Sequence, residues 1–176
     1  MAYFVASDLF NVSVSGAFPS EVIFSLKNQF VNESRLHGPG IYFLYFKEEL
    51  VYIGFYRGSK KVNNVASERF VKELETISMR GIHVSLNKTS LQTLNSCSLL
   101  SSSFQNPRQG DNGCLTSKKR IIFAEKNWIE LSQNPQNWLS DFAFHWHQKS
   151  SANQTNIEIS QLVKDLKQYY KPICNG

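Results

Sequence analysis

The stretch from Gly38 to Gly54, GPGIYFLYFKEELVYIG, carries the clearest strand pattern in the chain. Two runs of β-branched and aromatic residues, Ile41 to Phe46 and Leu50 to Ile53, stand on either side of the charged tripeptide at 47–49. Such runs around a short polar segment predict an antiparallel hairpin. We expect the rest of the fold to be built on this hairpin.

A loop made of all three charged residues would fix the register of the hairpin. Phe46 then lies opposite Leu50, and Tyr42 lies opposite Gly54. Because side chains alternate with period two, Tyr42 and Tyr52 emerge on the same face as diagonal neighbours, within reach of one bound group. A two-residue loop would place the two tyrosines on opposite faces.

Length and charge indicate one basic domain. The chain has 176 residues, which is enough for one full core and too few for two comfortable ones. Its formal net charge is +5. A basic balance of this size suits a polyanionic partner, because lysine and arginine make the contacts to phosphate.

Cysteine usage and the N-terminus indicate a reducing compartment. Cys97, Cys114 and Cys174 form no CxxC pair and leave an odd one over, which predicts free thiols. The N-terminal residues MAYFVASDLF lack a basic segment and a long apolar core, so we predict no signal peptide. No apolar run is long enough to span a membrane. A cytoplasmic location is therefore expected.

Further elements are predicted before and after the hairpin. Leu9 to Val14 alternates as a strand, and Ser20 stands as an N-cap before an apolar set at 22–30 that predicts a helix of about ten residues. Residues 1–37 are interpreted as an N-terminal addition to a core at 38–176. After the hairpin, an apolar stripe predicts a helix from Ala66 to Ile77.

The C-terminal half alternates between polar and apolar segments. Ile82 to Leu86 is predicted as a strand, and the Ser-, Asn- and Gln-rich stretch at 87–117 as an insertion with mobile loops. A helix is predicted from Ser117 to Gln133, a strand from Phe142 to His147, and a last helix from Asn156 to Tyr170. Together these predict a single α/β domain of the α+β kind, with a small, mainly antiparallel sheet and flanking helices.

Two tripeptides in the hairpin resemble the signature of a nuclease superfamily. Gly40-Ile41-Tyr42 and Tyr52-Ile53-Gly54, at hairpin spacing, resemble the two motifs of the GIY-YIG nucleases. The resemblance implies DNA cleavage that uses one hairpin, one arginine, one glutamate and a divalent metal. The alternative is an ordinary hairpin with two packed tyrosines, since buried aromatic residues are common in sheets.

The resemblance implies a role for Arg69, the only arginine in the predicted helix at 66–77. In the family, the helix after the second tripeptide carries an arginine that contacts the scissile phosphate. A planar guanidinium can hold two phosphate oxygens and offset charge in the transition state. Two features depart from the pattern: the linker from Gly54 is long, and Glu73 stands where many members have histidine. A solvated arginine on an amphipathic helix is the alternative.

Glu125 is the first candidate for the acid. It precedes Trp128 and Ile129 by three and four residues, so on a helix it points partly toward the core and needs a partner, for which a divalent cation is one possibility. The family's acid is likewise followed by an apolar pair, a proline and an asparagine, here Pro135 and Asn137. Pairing of Glu125 with a neighbouring lysine is the alternative.

A rival alignment places the acid in the last helix. The segment from Tyr170 to Asn175 resembles the end of the family's last helix, which would put Val163 at the acid position and leave Glu158 as the nearest substitute. His145 and His147 point the same way from a strand and are a candidate metal pair. With no third ligand in view, packing or surface hydrogen bonding is the simpler interpretation.

Charge and resemblance together predict a metal-dependent DNA endonuclease, sequence-specific and of the restriction type. Tyr42 or Tyr52 would deprotonate or orient water, Arg69 would bind the phosphate, and Glu125 would hold Mg²⁺ or another divalent cation such as Mn²⁺. Double-stranded DNA is the expected partner, and a palindromic target would imply a homodimer. Three alternatives stay open: a non-catalytic nucleic-acid-binding module, a repair or mobile-element nuclease, and a protein-interaction module.

Overall fold

The computed structural model describes residues 1–14, 22–61, 63–82, 84–104, 107–110, 116–149 and 156–175. Its strands are β1 (Ala2–Val5), β2 (Phe10–Val14), β3 (Val22–Leu26), β4 (Gly40–Phe46), β5 (Glu49–Tyr56) and β6 (Phe142–Gln148). Its α-helices are α1 (Ala6–Leu9), α2 (Asn28–Val31), α3 (Val71–Ile77), α4 (Lys88–Ser96), α5 (Leu100–Ser103), α6 (Lys118–Lys126), α7 (Trp128–Leu131) and α8 (Asn156–Tyr170).

The strands form one antiparallel sheet of four, in the order β1-β6-β4-β5, and a separate pair, β2-β3. Helices α3 and α6 lie on the face that carries Tyr42 and Phe46, because Glu73 of α3 contacts Tyr42 and Phe123 of α6 packs on Phe46. Helix α8 packs on β5 and β4. The predicted α+β class, with a small antiparallel sheet and flanking helices, is confirmed. No helix in the described part of the chain is long and apolar enough to cross a membrane.

The hairpin reaches its predicted register by an unexpected route. Its loop holds two residues, Lys47 and Glu48, both with positive φ (49° and 67°), which is a turn of type I′. Phe46 therefore pairs with Glu49, and the prediction that it faces Leu50 is wrong. A β-bulge at Val51 then inserts one extra residue into β5. The bulge restores the pairing of residue 42 with residue 54 that the sequence predicted.

The N-terminal region differs from its prediction. Residues 22–26 form strand β3, paired with β2, where a helix was predicted. Val22 and Phe24 are buried while Ile23 and Ser25 are exposed, so burial alternates with the period of two residues that is typical of a strand. The predicted N-cap Ser20 lies outside the described residues. Strand β1 pairs with β6, so residues of the supposed addition at 1–37 complete the main sheet.

The region from 82 to 117 also differs. The described residues of 82–86 form no regular strand. They contribute isolated bridges at Ser85 and Leu86, the latter paired with Gln109. The supposed loop insertion contains α4 and α5, with Asn87 capping α4 by accepting a hydrogen bond from the Ser90 amide. Helix α4 packs on α6, so this polar segment is part of the folded domain.

The helices that position the functional residues follow the sequence more closely. The predicted helix at 66–77 begins as one π-helical turn, Ala66–Phe70, and continues as α3. Ser117 caps α6 by accepting from the Arg120 amide, and Asn127 separates α6 from α7. Strand β6 and helix α8 lie where they were predicted. Of the described cysteines, Cys97 and Cys174 are both free thiols, while Cys114 lies outside the described residues.

The C-terminal residues close the exposed edge of the sheet. The side chain of Asn175 accepts a hydrogen bond from the Ile53 amide (2.7 Å) and donates one to the Ile53 carbonyl (2.9 Å). The Cys174 amide donates to the Val51 carbonyl (2.8 Å). These bonds satisfy backbone groups of edge strand β5 that would otherwise lack partners.

Candidate active site

The two motif tyrosines lie side by side on one face of the hairpin. Their ring centroids are 6.1 Å apart. Gly54 makes room for this arrangement, because a Cβ atom there would lie 2.3 Å from Cζ of Tyr42. The Tyr42 ring thus lies directly over the backbone of its partner residue. The second tripeptide needs a glycine at this position for a packing reason.

A buried carboxylate holds the hydroxyl of Tyr42. Tyr42 donates a hydrogen bond to Oε1 of Glu73 at 2.7 Å. The other oxygen of Glu73, Oε2, is paired with Nη2 of Arg120 at 2.6 Å. Arg120 also donates to Oγ1 of Thr76, and its Cζ lies 4.6 Å from the centre of the Tyr52 ring. Glu73 and Arg120 therefore form a buried ion pair directly behind both tyrosines.

Burial keeps both tyrosines in the neutral state. It raises the pKa of Tyr52 to about 12, and the negative charge of Glu73 adds to this, against lowering by Arg120 and Arg69. The pKa of Tyr42 also rises well above its usual value, mainly through burial and then through Glu73. Both phenols are thus O–H donors at neutral pH. The predicted role of a tyrosine as the direct base has no support in these pKa shifts.

A cleft of about 750 Å³ opens in front of the tyrosines. It is lined by Tyr42, Tyr52 and Tyr56, by the cations Arg57, Arg69, Lys72 and Lys167, and by one carboxylate, that of Glu68. Tyr56 donates a hydrogen bond to Oε2 of Glu68 at 2.5 Å, which occupies one oxygen of this carboxylate. The charge of the lining residues is strongly positive, as a site for an anion requires.

The structure brings together three of the four predicted site residues. Tyr42, Tyr52 and Arg69 all line this cleft, and Arg69 is exposed there. Arg57, which directly follows β5, lines it as well.

Glu125 lies elsewhere. Its Oε1 accepts hydrogen bonds from the amides of Ser98 and Leu99 (both 2.9 Å), and its Oε2 accepts one from the Leu100 amide (2.8 Å). Glu125 stands five residues after Arg120, so it projects from nearly the opposite side of α6. The predicted partner requirement of this carboxylate is met by backbone amides at the start of α5.

The other proposed ligands are also placed away from the tyrosines. Glu158 is exposed in the first turn of α8, and Val163 is buried, so this helix offers no acid at the aligned position. His145 packs edge-on against Tyr3 and His147 packs against Phe43. Among the described residues no three His, Cys, Asp or Glu side chains gather to hold a metal.

The carboxylates near the tyrosines do not fit a divalent cation. Both oxygens of Glu73 are occupied, one by a guanidinium that would repel a second cation. Glu68 uses one oxygen for Tyr56 and shares the cleft lining with four cations. Mg²⁺ prefers one or two carboxylates together with water and phosphate oxygens, in an octahedron of fixed size. Among the described residues, the cleft therefore offers the expected Mg²⁺ at most the second oxygen of Glu68 and no pair of free carboxylate oxygens.

Comparisons of the chain with protein-family models, with curated proteins and with solved structures give no match. The resemblance to GIY-YIG nucleases thus depends on the residues of this chain alone.

Sequence reasoning missed three members of the site. Glu73 was noted as a departure from the family pattern but was given no role, although it lies one turn after Arg69. Arg120 and Lys167 come from α6 and α8, 47 and 94 positions after Glu73. No local pattern connects residues so far apart, and only the packing of the helices on the hairpin does so.

Proposed function

We propose that this protein is a DNA endonuclease and that the cleft beside Tyr42 and Tyr52 binds the scissile phosphodiester. The observation that carries the proposal is the convergence of both motif tyrosines and Arg69 in one strongly cationic cleft. The resemblance of the two tripeptides to GIY-YIG nucleases supports the same reaction class.

The proposed hydrolysis assigns one task to each phenol. Tyr42 directs its proton to Glu73, which leaves a lone pair of its oxygen available to a water molecule in the cleft. Attack of this water forms a new bond to phosphorus, and the water proton passes through Tyr42 to Glu73. The bond from phosphorus to the leaving oxygen breaks, and Tyr52 supplies a proton to that oxygen. After product release Tyr52 regains a proton from solvent, and Glu73 releases to solvent the proton that it accepted. Arg69 offsets the charge that develops on the phosphoryl oxygens.

The target and the assembly remain part of the proposal. The basic charge of the chain suits double-stranded DNA, and the proposal includes sequence-specific cleavage of the restriction type. Cleavage of a palindromic site would require two copies related by two-fold symmetry.

The test is incubation of the purified protein with plasmid and phage DNA, with Mg²⁺, with Mn²⁺ and with a chelator. We expect discrete fragments from the wild type. We expect cleavage to be lost in Tyr52→Phe and Arg69→Ala, which remove the acid and the phosphate ligand. Glu125→Gln is the matched carboxylate control and should cut like the wild type, because its side chain holds α5 and does not reach the cleft.

A second candidate function is supported by one specific observation. Both oxygens of Glu73 are already engaged by Tyr42 and Arg120, so this carboxylate has no free oxygen with which to act as a base toward a water molecule in the cleft. A protein that binds DNA in the cleft without cutting it would need no such base. Intact DNA under all conditions, together with a mobility shift that Arg69→Ala abolishes, would replace the endonuclease proposal with this one.

A further inference from the structure

We infer that the cleft binds and hydrolyses the phosphodiester with its own cations in place of a divalent metal, and that Lys167 is a phosphate-binding residue. This inference rests on the proposed function for its substrate. It departs from the metal dependence that the GIY-YIG resemblance implies.

The first observation is the charge of the cleft lining. Four cations face one carboxylate among the lining residues that the structure describes. A phosphodiester is an anion and enters such a cleft favourably, whereas the four cations outweigh the one carboxylate and would repel a divalent cation. The positive electrostatic potential of the cleft thus favours binding of the phosphodiester and disfavours binding of a divalent metal.

The second observation is the position of Lys167. Its Nζ lies 5.6 Å from the centre of the Tyr52 ring, and the side chain is about half buried between α8 and the edge of the sheet. In the described part of the chain, Lys167 forms no ion pair. Burial lowers the pKa of Lys167 from its usual value, against raising by the charge of Glu73, so this ammonium group would gain from a further counter-charge. A bound phosphate would supply that counter-charge.

The third observation is the occupancy of the carboxylates. Glu73 pairs with Arg120, and Glu125 is saturated by amides, so neither offers a free pair of oxygens to a metal. Val163, which stands at the acid position of the rival alignment, is apolar and lies one turn before Lys167 on α8. The helix that carries the acid in the rival alignment therefore presents an ammonium group to the cleft.

Two cations of the cleft can stabilise the negative charge that develops during the reaction. Arg69 and Lys167 line the same cleft and offset the charge of the phosphoryl oxygens, which is the task of a metal in a metal-dependent nuclease. The bonds that form and break, and the protons that move, are those of the hydrolysis described above. No co-reactant other than water is required.

The experiment measures cleavage and binding together. Cleavage of plasmid DNA is followed in excess chelator and in Mg²⁺, and binding of a labelled DNA duplex is followed by fluorescence anisotropy in chelator at several salt concentrations. The proteins are the wild type, Lys167→Gln, Lys167→Arg and Lys126→Gln. Lys126 is exposed on α6 and does not line the cleft, so its variant controls for the loss of one positive charge. Arg69→Ala, purified in parallel, controls for a contaminating nuclease.

We expect the wild type to cut equally well in chelator and in Mg²⁺. Lys167→Gln should lose this cleavage, should bind DNA about tenfold more weakly, and should reduce the slope of log affinity against log salt by about 0.9. Lys167→Arg should retain both properties, because it keeps the charge. Lys126→Gln should match the wild type.

The contrary outcomes separate the two proposals. Cleavage that appears only with Mg²⁺ would overturn the metal-free reaction and leave the endonuclease proposal standing. Identical binding by the Lys167→Gln and Lys126→Gln variants would overturn the role of Lys167. DNA that stays intact in every condition overturns both hydrolytic proposals, and binding that still depends on Lys167 would then preserve only its assignment as a phosphate ligand.

Discussion

The contact between Gly54 and Tyr42 shows how one small residue positions the proposed machinery. The Tyr42 ring lies over the backbone of Gly54, and this position delivers its hydroxyl to Glu73. Tyr42 is almost fully buried, with 1% of its surface exposed, so the surrounding residues hold the ring in this position. The glycine of the motif thus determines the orientation of the tyrosine of the other motif.

Substitution of Gly54 by alanine is expected to displace the Tyr42 ring from Glu73. The added Cβ would lie 2.3 Å from Cζ of Tyr42, so overpacking should cost about 1–3 kcal/mol of unfolding free energy. DNA cleavage should fall with it. Urea denaturation and a cleavage assay check this. Gly40→Ala is the control, because its Cβ would meet the His147 carbonyl and Trp146 instead of Tyr42, so it should destabilise the sheet without specific loss of the hydrogen bond to Glu73.

The free energy of unfolding should fall as the pH rises through the range in which Tyr52 loses its proton. Its pKa rises from 10.0 to about 12 on folding, so the unfolded chain releases this proton first. The stabilisation is therefore complete below about pH 10 and disappears between about pH 10 and pH 12. Tyr42 contributes in the same direction.

Denaturant midpoints measured on both sides of pH 10 test this expectation in the wild type and in Tyr52→Phe. The decline should be smaller in the variant, which lacks the titrating group. Equal declines in the two proteins would refute the assignment to Tyr52.

At the scale of elements, the role of Glu125 shows what a local pattern can and cannot predict. The sequence indicated a partly buried carboxylate that needs a partner, and the structure confirms that need. The partner consists of the backbone amides of 98–100, which belong to a segment that the sequence described as a mobile loop. Burial raises the pKa of Glu125, but these amides outweigh it, and the net shift is downward.

Glu125→Ala is expected to destabilise the protein by about 1–2 kcal/mol, which is the cost of losing a helix cap with a charged acceptor. DNA cleavage per folded molecule should stay unchanged. Chemical denaturation and a cleavage assay at a temperature where the variant remains folded check both parts. A folded variant that has lost cleavage would return Glu125 to the catalytic role that the resemblance implied.

The errors at the element scale have physical reasons. The apolar residues at 22–26 fit a helical and a strand pattern equally, and pairing with β2 decided in favour of the strand. The polar segment at 88–96 forms a helix because Leu94 is buried under it and Asn87 caps it. Tertiary partners determined both outcomes, and such partners lie outside any local window.

For the whole molecule, the hairpin and the class of the fold could be predicted because their signals are local. The tyrosine pair was predicted from strand alternation around a three-residue loop, whereas the observed pair depends on a two-residue turn and the bulge at Val51. Arg69 was predicted from the family resemblance and its place after the hairpin. The ion pair of Glu73 with Arg120 could not be predicted, because it depends on how α3 and α6 pack together. Local sequence patterns therefore indicate some of the site residues, and tertiary packing determines the others.

Because Asn175 closes the sheet edge, we expect its side chain to contribute to the stability of the whole domain. Asn175→Ala should remove two hydrogen bonds to the backbone of Ile53, at a cost of about 1–3 kcal/mol for each group left unpaired. Since Ile53 adjoins Tyr52, cleavage should fall as well. Thermal unfolding and hydrogen exchange at β5 measure the effect. Asn137→Ala, at an exposed position, should have almost no effect, and equal loss in the two variants would contradict this account.

The bulge at Val51 has an evolutionary consequence. In a regular hairpin closed by the same two-residue turn, ten positions of separation would send Tyr42 and Tyr52 to opposite faces. Loss of the codon for Val51 would remove the bulge, shorten the spacing by one, and still leave Tyr52 opposite Leu44. Odd and even spacings between the two tripeptides can therefore encode the same pair of tyrosines. A lineage can pass from one spacing to the other in a single deletion, without either phenol leaving the cleft.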